Sequence, residues 1–223
     1  MKRFIITAML LMGMSYSVLA QTEDFQIDSY TYGNAYLKAD DGNSNFVILK
    51  HFEDAPSQMV IPKKVTYNGI TYEVMGVDRN AFNDNSSIKT LCIPDSFEVK
   101  SSAFEGAKNL EEIILGDCCD LRSGCFRYCP SIKKVYITGK LYRFRKSSFQ
   151  WSEENLKQRG FYLVSSIPPK VVGEELDESV YKQVTLYVPT NSIGKYKGDS
   201  FWGKFKISGW DAKAFIENRL KRE

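Results

Sequence analysis

Between Val77 and Ile137 the apolar and polar positions recur together. Three segments superpose on a phenylalanine. The first is Val77-Asp-Arg-Asn-Ala81-Phe82, followed by Ile88, Leu91 and Ile93. The second is Val99-Lys-Ser-Ser-Ala103-Phe104, followed by Leu110, Ile113 and Leu115. The third is Leu121-Arg-Ser-Gly-Cys125-Phe126, followed by Ile132, Val135 and Ile137. Every column advances by 22 residues at each step, and a fourth copy starts one residue late as Phe144-Arg-Lys-Ser-Ser148-Phe149. A unit of this size buries too little apolar surface alone, so like faces must stack on one another. The pairs Leu91/Ile93, Ile113/Leu115 and Val135/Ile137 alternate as a short strand does, one residue in and one out. Successive copies run the same way, which predicts a parallel sheet. The small residues Ala81, Ala103, Cys125 and Ser148 suit a tight turn, and the phenylalanine after each should fill the interior, ring upon ring.

The flanks read differently. Residues 25–52 show strand patterning: Tyr30-Thr-Tyr32, Ala35-Tyr-Leu37, a turn at 40–44, then Phe46-Val-Ile-Leu49. Val65-Thr-Tyr67, Asn68-Gly69 and Ile70-Thr-Tyr72 carry the signature of a hairpin, because Asn-Gly tolerates the positive φ of a type I′ turn. Stacked units expose an apolar edge at each end, so residues 21–75 are read as an N-terminal antiparallel β cap. The array then spans 76–185 and a C-terminal capping unit 186–223. Residues 212–221 predict a short helix with Asp211 as N-cap and with Phe215, Ile216 and Leu220 turned inward.

These repeats resemble the BspA-like leucine-rich-repeat family of bacterial surface and secreted proteins. Its unit places Ala-Phe a few residues after an apolar position, often has a Cys further on, and ends in Leu-x-x-Ile-x-Ile-Pro. Here Ala81-Phe82 leads to Leu91-Cys92-Ile93-Pro94, Ala103-Phe104 to Leu110 and Ile113, and Cys125-Phe126 to Cys129, Ile132 and Val135. Thr185-Leu186-Tyr187-Val188-Pro189, with Tyr196, Trp202 and Phe205, is similar to the family's terminal unit. Between 141 and 183 the spacing widens and Ala-Phe is absent. The resemblance implies a β-rich leucine-rich-repeat solenoid, a right-handed coil with a concave parallel β-sheet. It also implies adhesion or protein–protein interaction at a cell surface.

Address and charge narrow the function classes. Lys2 and Arg3 precede an apolar stretch from Phe4 to Met14, and Val18-Leu19-Ala20 offers a cleavage site. This is the pattern of a secretory signal peptide at 1–20, too short for a comfortable transmembrane span, so export is expected. Loss of Lys2 and Arg3 lowers the net charge from +3 to +1, which removes the electrostatic case for nucleic acid. The single histidine, His51, excludes multi-His metal sites and leaves any His-based triad one possible base. No phosphate loop, dinucleotide fingerprint or nucleophile elbow is present, so no enzyme activity, cofactor or metal is expected. Among five cysteines, Cys119, Cys125 and Cys129 fall on buried columns, whereas Cys92 and Cys118 are expected at the surface.

The candidate binding residues are the outward column of the predicted sheet. Cys92, Ile114 and Tyr136 lie 22 apart, Tyr162 and Tyr187 take the same place between their inward neighbours, and Glu112, Lys134 and Thr138 sit alongside. Tyrosine offers large, rigid area with a polar tip at low entropic cost, as recognition surfaces require. Strands also favour such residues for themselves, with part of the row covered by a neighbouring loop. The expected partner is a protein or glycan met through an exposed Ile114, Tyr136, Tyr162 and Tyr187, and Tyr136→Ala with Tyr162→Ala should leave melting nearly unchanged. A structural envelope component acting by self-association is the alternative.

Overall fold

The computed structural model describes residues 30–32, 35–39, 46–52, 55–67, 69–151, 155–171 and 175–220. The expected signal peptide and the turn at 40–44 lie outside these residues. Seven strands, Gln58–Val60, Thr90–Ile93, Glu112–Leu115, Lys134–Ile137, Gly160–Leu163, Thr185–Pro189 and Lys206–Trp210, form one all-parallel sheet in chain order. A second sheet holds Glu98–Val99, Cys119–Leu121 and Leu141–Arg143, again parallel, beside Ile70–Val77. The chain therefore alternates between two sheets, and each repeat contributes one short strand to each.

The interior between them is one continuous apolar cluster. Its spine is the phenylalanine file expected from the repeat. Phe82 stacks on Phe104 at 4.9 Å and 3°, Phe104 on Phe126 at 5.5 Å and 13°, and Phe126 on Phe149 at 5.1 Å and 19°. The turn that carries the file is hydrogen-bonded from one coil to the next. Phe82 N donates to Ala103 O, Phe104 N to Cys125 O and Phe126 N to Ser148 O, at 2.7, 2.9 and 2.9 Å. This close lateral approach explains the small column. Buried Ser148 is tolerated because its hydroxyl donates to the carbonyls of Leu121 and Arg122.

The coil also bends at positions that recur with the same period. Left-handed backbone occurs at Ser96 and Cys118, at Asn80, Ser102 and Gly124, and at Asp84, Gly106 and Tyr128. Asn, Asp and Gly tolerate that region; Tyr128 is an unfavourable member, and its N–H donates to Gln150 O of the next coil at 3.3 Å.

At the N-terminal side, Tyr30–Tyr32 pairs antiparallel with Ala35–Ala39, which pairs antiparallel with Phe46–Phe52. Lys64–Tyr67 and Ile70–Val77 form the expected hairpin, with Gly69 at φ +79°. Ile70–Val77 also pairs in parallel with both Phe46–Phe52 and Glu98–Val99, so this region shares its sheet with the array.

Where the spacing widens after 141, the sheet register is nonetheless kept: Lys134 aligns with Gly160 and Gly160 with Thr185. The extra residues loop outside the sheet. Arg159, 3% exposed, closes the break by donating to the carbonyls of Cys129, Pro130 and Ile132 at 2.9–3.3 Å while its guanidinium lies over the Trp151 ring. Beyond it, short helix α1 (Glu178–Gln183) and helix α2 (Ile193–Lys197) carry Tyr181 and Tyr196 into an aromatic end cluster with Trp202 and Phe205. Helix α3 (Ala212–Leu220) follows the last strand directly.

Candidate partner-binding face

Each strand of the seven-stranded parallel sheet (the wide sheet) turns alternate side chains away from the core, and the parallel register lines them into rows. The outward row runs Val60, Cys92, Ile114, Tyr136, Tyr162, Tyr187 and Ser208. Tyr162 and Tyr187 thus share a row with Tyr136 despite the irregular sequence spacing. Tyr162 stacks on Tyr187 at 4.4 Å and 7°, and meets Tyr136 at 4.9 Å and 35°.

The neighbouring row contains Thr90, Glu112, Lys134, Gly160, Thr185 and Lys206. Lys134 Nζ donates to Glu112 Oε1 at 2.8 Å, so the row is charged but compensated. That bond to Glu112 raises the Lys134 pKa, with burial opposing it. Gly160 was not singled out by sequence reasoning, yet it shapes the site. A Cβ there would stand 2.9 Å from the Cε2 atoms of both Tyr162 and Tyr187. The missing side chain is what lets the two rings lie flat over the strand.

The expectation of an exposed row is corrected at its centre. Ile114 is 8% exposed and Tyr136 9%, and Cys92, expected at the surface, is 4%. These three form a small apolar cluster of their own, on the opposite side of the sheet from the main core, with Val60, Tyr162, Trp210 and Phe215. The cover is α3. The chain leaves the sheet at Trp210, whose indole Nε1 donates to Leu163 O at 2.9 Å. Asp211 Oδ1 accepts from Ala214 N and so caps the helix as expected. The helix then sets Phe215 on Tyr136, rings 4.5 Å apart and 9° from parallel, with Trp210 5.9 Å from Tyr136 and 5.3 Å from Tyr162.

Apolar rings on an outer sheet face are more stable covered than wet, and α3 supplies the cover over Tyr136. Phe215 is therefore inward as expected, but inward onto the outer face of the sheet. Ile216, also expected inward, is 38% exposed. The side chain of Leu220 lies outside the described residues. Tyr162 and Tyr187 remain half-buried and form the accessible part of the row. With Tyr136→Ala now removing a buried, stacked ring, the substitution pair that probes the face with the least loss of packing is Tyr162 and Tyr187, both half-buried.

Burial raises the Tyr162 and Tyr136 phenols. It pushes Tyr162 up to about 12, with Tyr187 and Tyr136 adding to the effect. Burial, then the Glu112 carboxylate, also raises Tyr136. The face therefore presents uncharged aromatic area with hydroxyl donors and one compensated ion pair.

The rest of the chain offers little chemistry. His51 lies on the strand Phe46–Phe52, with its backbone paired to Tyr36. Cys119, Cys125 and Cys129 are buried free thiols and Cys118 an exposed one. Burial pushes Cys119 and Cys129 up to about 12 and Cys125 well above its ordinary value, so all three stay protonated. The thiols of Cys119, Cys125 and Cys129 donate to the carbonyls of Pro94, Ser148 and Phe104, respectively. Among the described residues no group of three His, Cys, Asp or Glu could hold a metal ion, and no helix is long and apolar enough to cross a membrane.

Comparison with known proteins follows the architecture. No curated protein matches the chain. Among solved structures, the chain is similar to a leucine-rich repeat protein from Bacteroides capillosus ATCC 29799, with 16% identity, 61% of this chain and 98% of that one covered, and a TM-score of 0.42. It is similar to a leucine rich cell surface protein from Faecalibacterium prausnitzii A2-165, with 13% identity, coverage of 76% and 72%, and a TM-score of 0.36. A leucine-rich repeat protein from Bacteroides ovatus ATCC 8483 matches at 15% identity, coverage of 84% and 67%, and a TM-score of 0.31. Residues 62–157 match the family described as BspA type Leucine rich repeat region, in 6 copies. That segment, which carries the stacked Phe file and most of the paired parallel strands, is a BspA-type leucine-rich repeat region.

Proposed function

We propose that this leucine-rich-repeat chain is an exported, non-enzymatic recognition module that binds a protein or glycan at a cell surface through the outward face of its wide sheet. The coil is right-handed and this face is its concave wall. Residues 21–75 act as the N-terminal cap, with Lys64–Tyr67 and Ile70–Val77 closing the first coil. The observation that carries the reading is the aligned row Tyr136, Tyr162 and Tyr187 outside the core, beside the compensated pair Glu112–Lys134. Ile114 extends the row on the Cys92 side. The repeat builds this row on rigid strands, so partner area is gained without ordering a loop. No bond is made or broken; binding comes from burial of ring area and from hydroxyl hydrogen bonds at the rim.

The test uses the mature chain as bait against envelope and host-surface extracts, in parallel with Tyr162→Ala/Tyr187→Ala. The double variant should lose the specifically bound partner while melting stays close to wild type. Equal capture by both proteins would remove the sheet face as the binding surface.

A further inference from the structure

The outer row already has an occupant, and its character says what else would fit. Helix α3 rests on the row through a single ring, Phe215, beside Trp210 at the end of the last strand, five residues before it. Its other described side chains offer little hold. Among the described side chains, Lys213 and Glu217 are exposed and pair with each other at 3.7 Å, and Ile216 faces solvent. A helix of nine residues is below the length at which isolated helices form in water, roughly 12–15 residues. Its helicity therefore depends on being docked. The sheet beneath it does not depend on the helix in the same way, because its inner face is anchored in the main core. A weakly held helix thus lies on a strongly held row.

From this asymmetry we propose that the outer row is a helix dock: its partner is an amphipathic α-helix presenting an aromatic ring to Tyr136, and α3 is the displaceable occupant in cis. This rests on the sheet face being the binding surface. The partner helix would lay its ring parallel to Tyr136, as Phe215 does, and its polar flank beside Glu112 and Lys134. Displacement of α3 would open Ile114 and Tyr136 and join them to the half-buried Tyr162 and Tyr187 in one continuous strip. The tethered helix competes at a millimolar-scale effective concentration, so only a partner with more or better anchors succeeds.

The experiment compares the full chain with its Phe215→Ala variant. The probe is a fluorescein-labelled synthetic peptide of residues 211–223, followed by anisotropy. Amide hydrogen exchange is recorded over 212–220 and over 185–189. Phe215→Ala should speed exchange in 212–220 and leave 185–189 protected. It should also bind the peptide about tenfold more tightly than wild type, the equivalent of one lost ring stack. A peptide carrying the same substitution should not bind. Should Phe215→Ala disturb the whole domain, Glu217→Pro supplies the second route, since it breaks the helix from its exposed side without touching the row. Unchanged exchange over 212–220 in both variants would show that α3 is not displaceable. An opened α3 with no peptide binding would show that the row is not a helix dock. Neither result touches the Tyr162/Tyr187 capture test, so failure here and failure of the binding reading remain separable.

Discussion

The molecule contains two aromatic files built by one repeat, and they have different fates. Inside, Phe82, Phe104, Phe126 and Phe149 stack at 4.9–5.5 Å. Outside, Tyr162 stacks on Tyr187 at 4.4 Å and meets Tyr136 at 4.9 Å, tilted by 35°. The spacing is nearly the same, because coil-to-coil distance sets both. Their surroundings differ. The inner file is closed on every side by residues of the repeat itself, whereas the outer file is closed only where α3 crosses it. Stacking is thus a property of the repeat, while access is a property of the chain end. A repeat can therefore keep its core constant while a short appendage decides how much of its outer face a partner can reach.

The largest effect that tests this contrast is Phe104→Ala, expected to cost ~3–5 kcal/mol in chemical denaturation, since it leaves a cavity in the middle of a close-packed file. A cost near that of an exposed ring would show the inner file to be no different from the outer.

The next largest is alkaline. Cys119 and Cys129 are pushed up to about 12 by burial, and burial raises Cys125, beside the Phe file, well above its ordinary value. Unfolded thiols titrate near 8.5, so between about pH 8.5 and 12 the unfolded chain releases protons that the folded chain keeps. Stability is then intact below that window and falls as pH rises through it. The loss is about 1.4 kcal/mol per pH unit for each thiol, or roughly 2 kcal/mol per thiol at about pH 10. Under reducing conditions Cys125→Ala, which restores the residue found at Ala81 and Ala103, should flatten the slope by one proton's worth. An unchanged slope would show that the thiol is accessible. Tyr162 adds a smaller loss in the upper part of the window, between its ordinary value and about 12.

Gly160→Ala comes next. Its Cβ would push against the rings of Tyr162 and Tyr187, costing ~1–3 kcal/mol as overpacking does, with the loss confined to the outer file. The same melting temperature as wild type would mean that the rings do not need the space. The smallest stability effect is that of Tyr162→Ala/Tyr187→Ala, about 1 kcal/mol, because both side chains are only half-buried. Here calorimetry should be nearly silent and partner capture should change most.

Much of this architecture is legible in residue spacing. A shared period of 22 forces like positions into files, so the phenylalanine interior, the parallel strands and the outward row of Cys92, Ile114 and Tyr136 follow from counting alone. Burial of Cys119, Cys125 and Cys129 follows from the columns on which they fall. The membership of Tyr162 and Tyr187 is harder, since the strand starts at Lys134, Gly160 and Thr185 are unevenly spaced. It holds because backbone pairing restores the register that spacing loses, with Arg159 closing the enlarged coil.

What periodicity cannot convey is any contact made once. Trp210 and Phe215 have no counterpart in other repeats, and the position of α3 over Tyr136 depends on where the last strand ends and how the chain turns at Asp211. The burial of Tyr136 was decided there. The role of Gly160 also needed three dimensions, because its value lies in rings from its own strand and the next. The sequence by itself determined the repeated part of this protein, since short-range spacing propagates identical contacts from coil to coil. Only the tertiary structure decided which portion of the outer face stays open, because that depends on a single long-range packing event between non-repeated residues.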